Sequence, residues 1–253
     1  MPVAIVTGSD SGIGRATAVA LAAAGHDVGI TWHSDEEGAN GTAEEVRGHG
    51  VRAEIRRLDL EDPEHAADVV DELAEALGGL DVLVNNAGGG NAGPFLEAGL
   101  EDFVATLRRN VTGTFACSQR AARRMVRDGV RGRIVMVTSI HEHLPLPEAS
   151  DYVTAKHALG GLVKSMAIEL GPHGITVNAV APGQISTEMT GMEDVDPREV
   201  ERKGIPIGRP GDAREIAAMI VALVGPGSGY TTGASLIVDG GLGLMGPALG
   251  NEA

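Results

Sequence analysis

Tyr152 and Lys156 are the pair in this sequence whose types and spacing could move a proton. Four residues apart, they share one face of any helix that carries both. An ammonium beside a phenol favours the phenolate, which brings the tyrosine towards neutral pH, where it can give or take a proton. The same spacing occurs on many surface helices. Here, however, the chain has only two tyrosines, and this one opens a helix soon after a strand that ends at Ser139. Ligands of open α/β sheets bind at the carboxyl ends of the strands, so the Ser139 hydroxyl could donate to a substrate oxygen.

A second feature needs a partner with phosphates. An apolar strand, Val3–Val6, runs into Thr7-Gly8-Ser9-Asp10-Ser11-Gly12-Ile13-Gly14, and a helix follows. Gly8, Gly12 and Gly14 allow positive φ and close backbone approach, and the helix N-terminus offers N–H groups to a pyrophosphate. Any tight strand–helix junction uses glycine. Its position on the first strand of a βαβ unit favours nucleotide binding. The spacing is T-G-x-x-x-G-x-G rather than the usual G-x-G-x-x-G.

The elements that must position these residues alternate. Strands are expected at Asp27–Trp32, Val51–Leu58, Val82–Val84, Arg133–Thr138, Thr176–Ala181 and Ser235–Val238. Helices are expected at Gly12–Ala24, Gly38–Gly48, Pro63–Leu77, Leu100–Asp128, Tyr152–Leu170 and Asp212–Val224. Alternation of this kind builds a parallel sheet. Residues 182–211 lack clear periodicity apart from a helical stretch around Asp196–Lys203, and a segment that long reads as a lid over a site, at about 184–211. No low-complexity linker or internal repeat divides residues 1–253, so one domain is expected.

Composition narrows the function classes. Of 253 residues 43% are hydrophobic and only 2% aromatic, so the core is built from Ala, Val, Leu and Ile. A formal charge of −15 repels phosphate backbones and anionic lipid, which argues against nucleic-acid and membrane-surface partners. The single cysteine, Cys117, excludes an intrachain disulfide and a thiolate metal cluster, and with no leader-like segment the expected compartment is the cytoplasm.

Taken in order, Thr7-Gly8-x-x-x-Gly12-x-Gly14, Asn85-Asn86-Ala87-Gly88, Asn110, Ser139, Tyr152-x-x-x-Lys156 and Pro182-Gly183 form a signature. Over essentially its whole length the chain resembles the short-chain dehydrogenase/reductase family. The resemblance implies an α/β fold: a single Rossmann-type, doubly wound domain with a mostly parallel seven-stranded sheet. It implies a catalytic group of Asn110, Ser139, Tyr152 and Lys156. In that family the tyrosine protonates a carbonyl as hydride arrives from a nicotinamide, and the serine orients the oxygen. The lysine holds the nicotinamide ribose and tunes the tyrosine, and the asparagine keeps a water-linked proton path.

The resemblance carries over further positions for the nucleotide. Ser9, Ser11 and Ile13 belong to the phosphate-binding turn, and Asp59 with its neighbour Leu60 to the adenine pocket. Asn86, Ala87 and Gly88 lie beside the ribose, with Asn85 bracing the sheet. Ile185 and Thr187, after Pro182 and Gly183, face the nicotinamide carboxamide. It also implies a homotetramer, with the helices Leu100–Asp128 and Tyr152–Leu170 between subunits, and the tail Gly240–Gly250 could dock on a neighbour.

Cofactor and substrate are less constrained. An acid at the end of the second strand would select NAD(H), but the sequence there is Thr31-Trp32-His33-Ser34. His33 and Ser34 could bind a phosphate, so NADP(H) is favoured, with NAD(H) still an option, while Asp35, Glu36 and Glu37 oppose it. In Ser139-Ile140-His141-Glu142-His143, an extended backbone would point both histidines one way. A metal site lacks a third ligand. The segment either recognises a polar substrate, with His141 and Gln184 as candidates, or is a hydrogen-bonded loop supporting Ser139. Residues 141–147 are similar to glucose 1-dehydrogenases, and the chain's start to diacetyl/acetoin-reductase-like members. A small neutral ketone, diketone or sugar is the expected substrate. The alternatives are a 3-oxoacyl-thioester reductase and a catalytically silent, cofactor-binding regulatory protein.

Overall fold

The computed structural model describes residues 1–90, 92–192 and 195–245. Seven strands form one sheet: β1 (Val3–Val6), β2 (Asp27–Trp32), β3 (Ala53–Arg57), β4 (Val82–Asn85), β5 (Arg133–Val137), β6 (Thr176–Pro182) and β9 (Ser235–Val238). Their spatial order is β3-β2-β1-β4-β5-β6-β9, and every pairing is parallel. The strands of the middle of the sheet are buried on both faces, which is why they read as continuous apolar runs.

Alternate residues of each strand feed two cores. Ala4, Val6, Val82 and Val84 meet α1 (Gly12–Ala23), α2 (Glu36–Gly48) and α7 (Ala213–Val224) on one side. Ile5, Leu83, Ile134 and Met136 meet α3 (Pro63–Leu77), α5 (Thr114–Arg127) and α6 (Ser150–Leu170) on the other. The seven-stranded α/β architecture expected from the sequence is the one observed. Strand order reverses between β1, which pairs with β2 on one side, and β4 on the other, so a crevice opens at their carboxyl ends.

Four local departures have physical causes. Helix α2 begins at Glu36, ahead of the expected Gly38, because Asp35 caps it by accepting from the Gly38 N–H at 2.9 Å. The long helix expected over Leu100–Asp128 is split into α4 (Leu100–Leu107) and α5 by a π-helical turn, Arg108–Gly113. Such turns cluster at functional sites, and this one carries Asn110. The helical stretch expected around Asp196–Lys203 is a single 3₁₀ turn, Pro197–Glu199. Finally, the ends of the lid segment are tied together by two short parallel strands, β7 (Ile185–Ser186) and β8 (Gly211–Asp212). The segment is therefore a loop closed at its base. The part of the Gly240–Gly250 tail beyond residue 245 lies outside the described residues.

Candidate active site

The Gly-rich turn is shaped for a close backbone approach. Gly8 and Gly12 have φ of +59° and +51°, and a Cβ on Gly14 would run into the Gly8 carbonyl. Asn86 pins the turn from β4, its Nδ2 donating to the carbonyls of Thr7 and Gly8 at 3.0 and 2.8 Å. Ser11 is the N-cap of α1 and makes no capping hydrogen bond, which leaves the first helical N–H groups free for an anion. A pyrophosphate fits this cradle. Ser9 does not face it: its side chain is fully buried, donates to the Val6 carbonyl and accepts from the Thr31 N–H. It braces β1 against β2.

A cleft of about 320 Å³ continues from the turn, lined by Asp10, Ser11, Ile13, Trp32, His33, Asn86, Ala87 and Gly88. Beside it a second hollow of about 350 Å³ has His33, Asp59, Leu60 and Arg109 on its walls. His33 and Asp59 lie 3.8 Å apart there, while Ser34 is exposed and lines neither. Two residues that pattern-reading missed bear on this corner, Asp10 on its wall and Arg57 beside it through the His33 backbone. Arg57 ends β3 level with Trp32, and its Nε donates to the His33 carbonyl at 3.1 Å. Asp10 is half-buried, and its carboxyl is raised by burial and by the nearby Asp35 and Glu188. Strand pairing brings Arg57 to His33, and the loop contacts bring Asp35 and Glu188 to Asp10.

At the other end, a cavity of about 110 Å³ collects Ile13, Asn86, Gly88, Ser139, Tyr152, Lys156, Pro182, Gly183, Ile185 and Thr187. Residues from five separate stretches thus meet on one hollow, with Asn110 outside its lining. Thr138 and Thr190 line it too and carried no sequence signal. Gln184 does not. It lines a different cavity with Arg209 and Glu215, while its neighbour Ile185 borders both.

Tyr152 and Lys156 occupy the first turns of α6, with Lys156 Nζ 5.4 Å from the tyrosine ring centroid. Burial pushes the phenol above its ordinary value, and a hydrogen bond with Ser139 pulls the other way. The lowering expected from Lys156 is not among the causes, and the ammonium donates instead to the Val137 carbonyl at 3.2 Å. Burial also lowers the lysine, to about 8, against the opposing field of Glu142. Asn110 is buried in the π turn, its Nδ2 donating to the carbonyls of Gly89 at 2.6 Å and Thr106 at 2.9 Å. A Cβ on Gly88 would lie 2.5 Å from Asn110 Oδ1 and 3.8 Å from Lys156 Nζ, so all three groups share that corner. Asn85 turns away, donating to Ser118 at 2.9 Å.

The segment after Ser139 is not extended. Ile140–Glu142 forms a 3₁₀ turn capped by Ser139 Oγ, which accepts from the His141 N–H at 3.1 Å. His141 therefore swings over the tyrosine, edge-on with centroids 6.3 Å apart, while Glu142 turns into the interior. Among the described residues no three His, Cys, Asp or Glu side chains gather to hold a metal ion.

Fold, turn and cavity define a nucleotide-dependent oxidoreductase scaffold, and comparison with known proteins gives the family. A family model described as Enoyl-(Acyl carrier protein) reductase matches residues 8–243. The Escherichia coli (strain K12) protein named Uncharacterized oxidoreductase YohF is 54% identical over 250 residues, covering 99% of both chains. Glucose 1-dehydrogenase 2 of Bacillus subtilis (strain 168) is 36% identical, with 95% of this chain and 94% of that one covered. The crystal structure of acetoin dehydrogenase YohF from Salmonella typhimurium superposes with a TM-score of 0.91 at 52% identity, over 96% of each chain. The chain belongs to the short-chain dehydrogenase/reductase family, and is an NAD(P)-dependent oxidoreductase acting on CH–OH and C=O groups. Among the described residues no helix is long and apolar enough to cross a membrane.

Proposed function

We propose that this enzyme interconverts a small vicinal diketone or hydroxyketone, of the acetoin and diacetyl type, with its alcohol. The observation that carries the chemistry is the single cavity shared by Ser139, Tyr152 and Lys156 at the mouth of the nucleotide cradle. The substrate class rests on the 52% identity to an acetoin dehydrogenase.

The turn Gly8–Gly14 and the α1 N-terminus would hold the pyrophosphate, and Asn86–Gly88, Pro182, Gly183, Ile185 and Thr187 the nicotinamide end. The bound nicotinamide supplies or accepts the hydride. Tyr152 gives its phenolic proton to the carbonyl oxygen, and Ser139 donates to that same oxygen and holds it in line. Lys156 stabilises the phenolate left behind and binds the nicotinamide ribose. Asn110 holds the π turn against Gly89 beside the lysine, where it frames the path by which Tyr152 is reprotonated. The lid 184–211, tied at its base, closes over the substrate within this single domain.

NADP(H) is the preferred nucleotide in this reading, and Arg57 strengthens the case made by His33: a guanidinium beside the end of β2 suits a ribose phosphate. Asp10 and Asp59 lie at the same corner and oppose it, which leaves NAD(H) usable. The oligomer is a homotetramer. Phe95, Leu96 and Leu100, at 77%, 95% and 76% exposure around the start of α4, are the apolar surface it would cover.

Nucleotide oxidation over 2,3-diketones, aldoses and 3-oxoacyl thioesters tests the assignment. Turnover is expected on the diketone with NADPH. A preference for the thioester or for aldoses overturns the substrate class, and nucleotide binding without turnover on any of them revives the regulatory alternative.

A further inference from the structure

Glu142 is a carboxylate in a place that rarely tolerates one. Its side chain is 3% exposed, at the end of the turn that follows Ser139. Burying an ion costs several kcal/mol unless partners restore the lost hydration. Oε2 accepts from Thr138 Oγ1 at 2.6 Å and from Ser235 Oγ at 2.9 Å. Behind Ser235, His143 Nε2 is 3.0 Å from its hydroxyl and 3.6 Å from Glu142 Oε1. The two donors come from Thr138, which follows β5, and from Ser235, which opens β9, so two strands converge on one carboxylate with His143 beside it.

The carboxylate is also pressed onto α6. A Cβ on Gly160 would run into it, and Gly160 lies one helical turn beyond Lys156 on the same face. Lys156 is itself buried, and its ammonium donates to the Val137 carbonyl, one residue before Thr138. Two opposite charges are thus enclosed against the same helix face, held by the consecutive residues Val137 and Thr138, with Lys156 lining the cavity and Glu142 buried against Gly160. The titratable neighbours are Tyr152 on the same helix as Lys156, and His141 and His143 on the turn.

We propose that Glu142 is a positioning residue for Lys156: its buried carboxylate is the fixed counter-charge that keeps the lysine an ammonium while it holds the ribose and serves Tyr152. A neutral loop would support Ser139 equally well, and would need neither a buried charge nor two hydroxyl donors to satisfy it. The field of Glu142 opposes the lowering that burial imposes on Lys156. Low local dielectric makes such a field effective over several ångströms. The inference rests on the proposed role of Lys156.

The test is the E142Q variant, which keeps the shape and hydrogen-bonding oxygen and removes the charge. Reduction of 2,3-butanedione with NADPH is followed across pH, and NADPH binding is followed in parallel by nucleotide fluorescence. The alkaline limb of both profiles is expected to move to lower pH by about one unit, with E142D moving it back. An unmoved limb in folded E142Q overturns the proposal and leaves Glu142 a structural brace. Should E142Q fail to fold, E142M decides: it fills the same space without a charge and without an amide to satisfy, and a limb that does not move in the same direction overturns the proposal equally. Failure of the catalytic reading shows separately, as wild-type turnover that survives Y152F. The binding profile needs no turnover, so it judges Glu142 in either case.

Discussion

Lys156 Nζ stands 5.4 Å from the centroid of the Tyr152 ring, on the same helix and facing the same cavity. At that separation the ammonium can stabilise a phenolate without quenching it in a direct ion pair. Burial keeps the phenol protonated in the free protein, which suits a proton donor in carbonyl reduction.

Tyr152→Phe removes the proton and keeps the ring. Turnover should fall by about 10²–10⁴-fold, the usual worth of a positioned acid. Nucleotide affinity, measured by fluorescence quenching, should stay nearly unchanged. Equal loss in both measurements would mean that the ring, and not the hydroxyl, carries the function.

Arg57→Ala should separate the two nucleotides. A charge-assisted hydrogen bond is worth about 1.5–3 kcal/mol, so NADPH affinity should weaken by roughly tenfold or more, while NADH affinity is untouched. Asp10→Asn should act in the opposite sense and strengthen NADPH binding. Calorimetric titration of both nucleotides against both variants checks the pair, and equal effects on NADH and NADPH would remove Arg57 from the phosphate corner.

Gly14→Ala puts a methyl group against the Gly8 carbonyl. The turn must open to admit it, at a cost of about 1–3 kcal/mol. Both the melting temperature and nucleotide binding should drop, and the loss of binding should persist at temperatures where the variant is folded.

Two carboxylates predict the acid limb of stability. Burial pulls Asp27 upward, but the N–H and guanidinium of Arg52 outweigh it, so the folded group lies below its ordinary 3.8. Arg209 and the Asp212 N–H hold Glu215 down at about 2, against an ordinary 4.5. Groups lowered on folding stabilise above their unfolded pKa and lose that contribution as pH falls through the folded value. Melting temperature should therefore hold down to about pH 4.5 and fall between there and about pH 2. D27N should flatten part of that fall. The Glu215 share is small, because both side chains of that pair are partly in solvent.

What the sequence determined by itself is local. Apolar runs of four to seven residues separated by amphipathic helices dictate a parallel sheet, since only burial on both faces suits such strands. Glycines at 8, 12 and 14 specify a turn no side chain could occupy, and the interval from Tyr152 to Lys156 places them on one helical face. Cross-strand and cross-element relationships were decided only in three dimensions. Arg57 reaches His33 because β3 pairs with β2 in one register. Gln184 borders a separate cavity with Arg209 and Glu215, a placement set by the β7–β8 pairing across the loop. Asn110 sits in a π turn because the chain inserts an extra residue where a continuous helix was expected, and Glu142 is buried because a 3₁₀ turn replaces an extended strand. Periodicity reports the face a residue takes on its own element, while its partner comes from another element, whose distance along the chain carries no such signal.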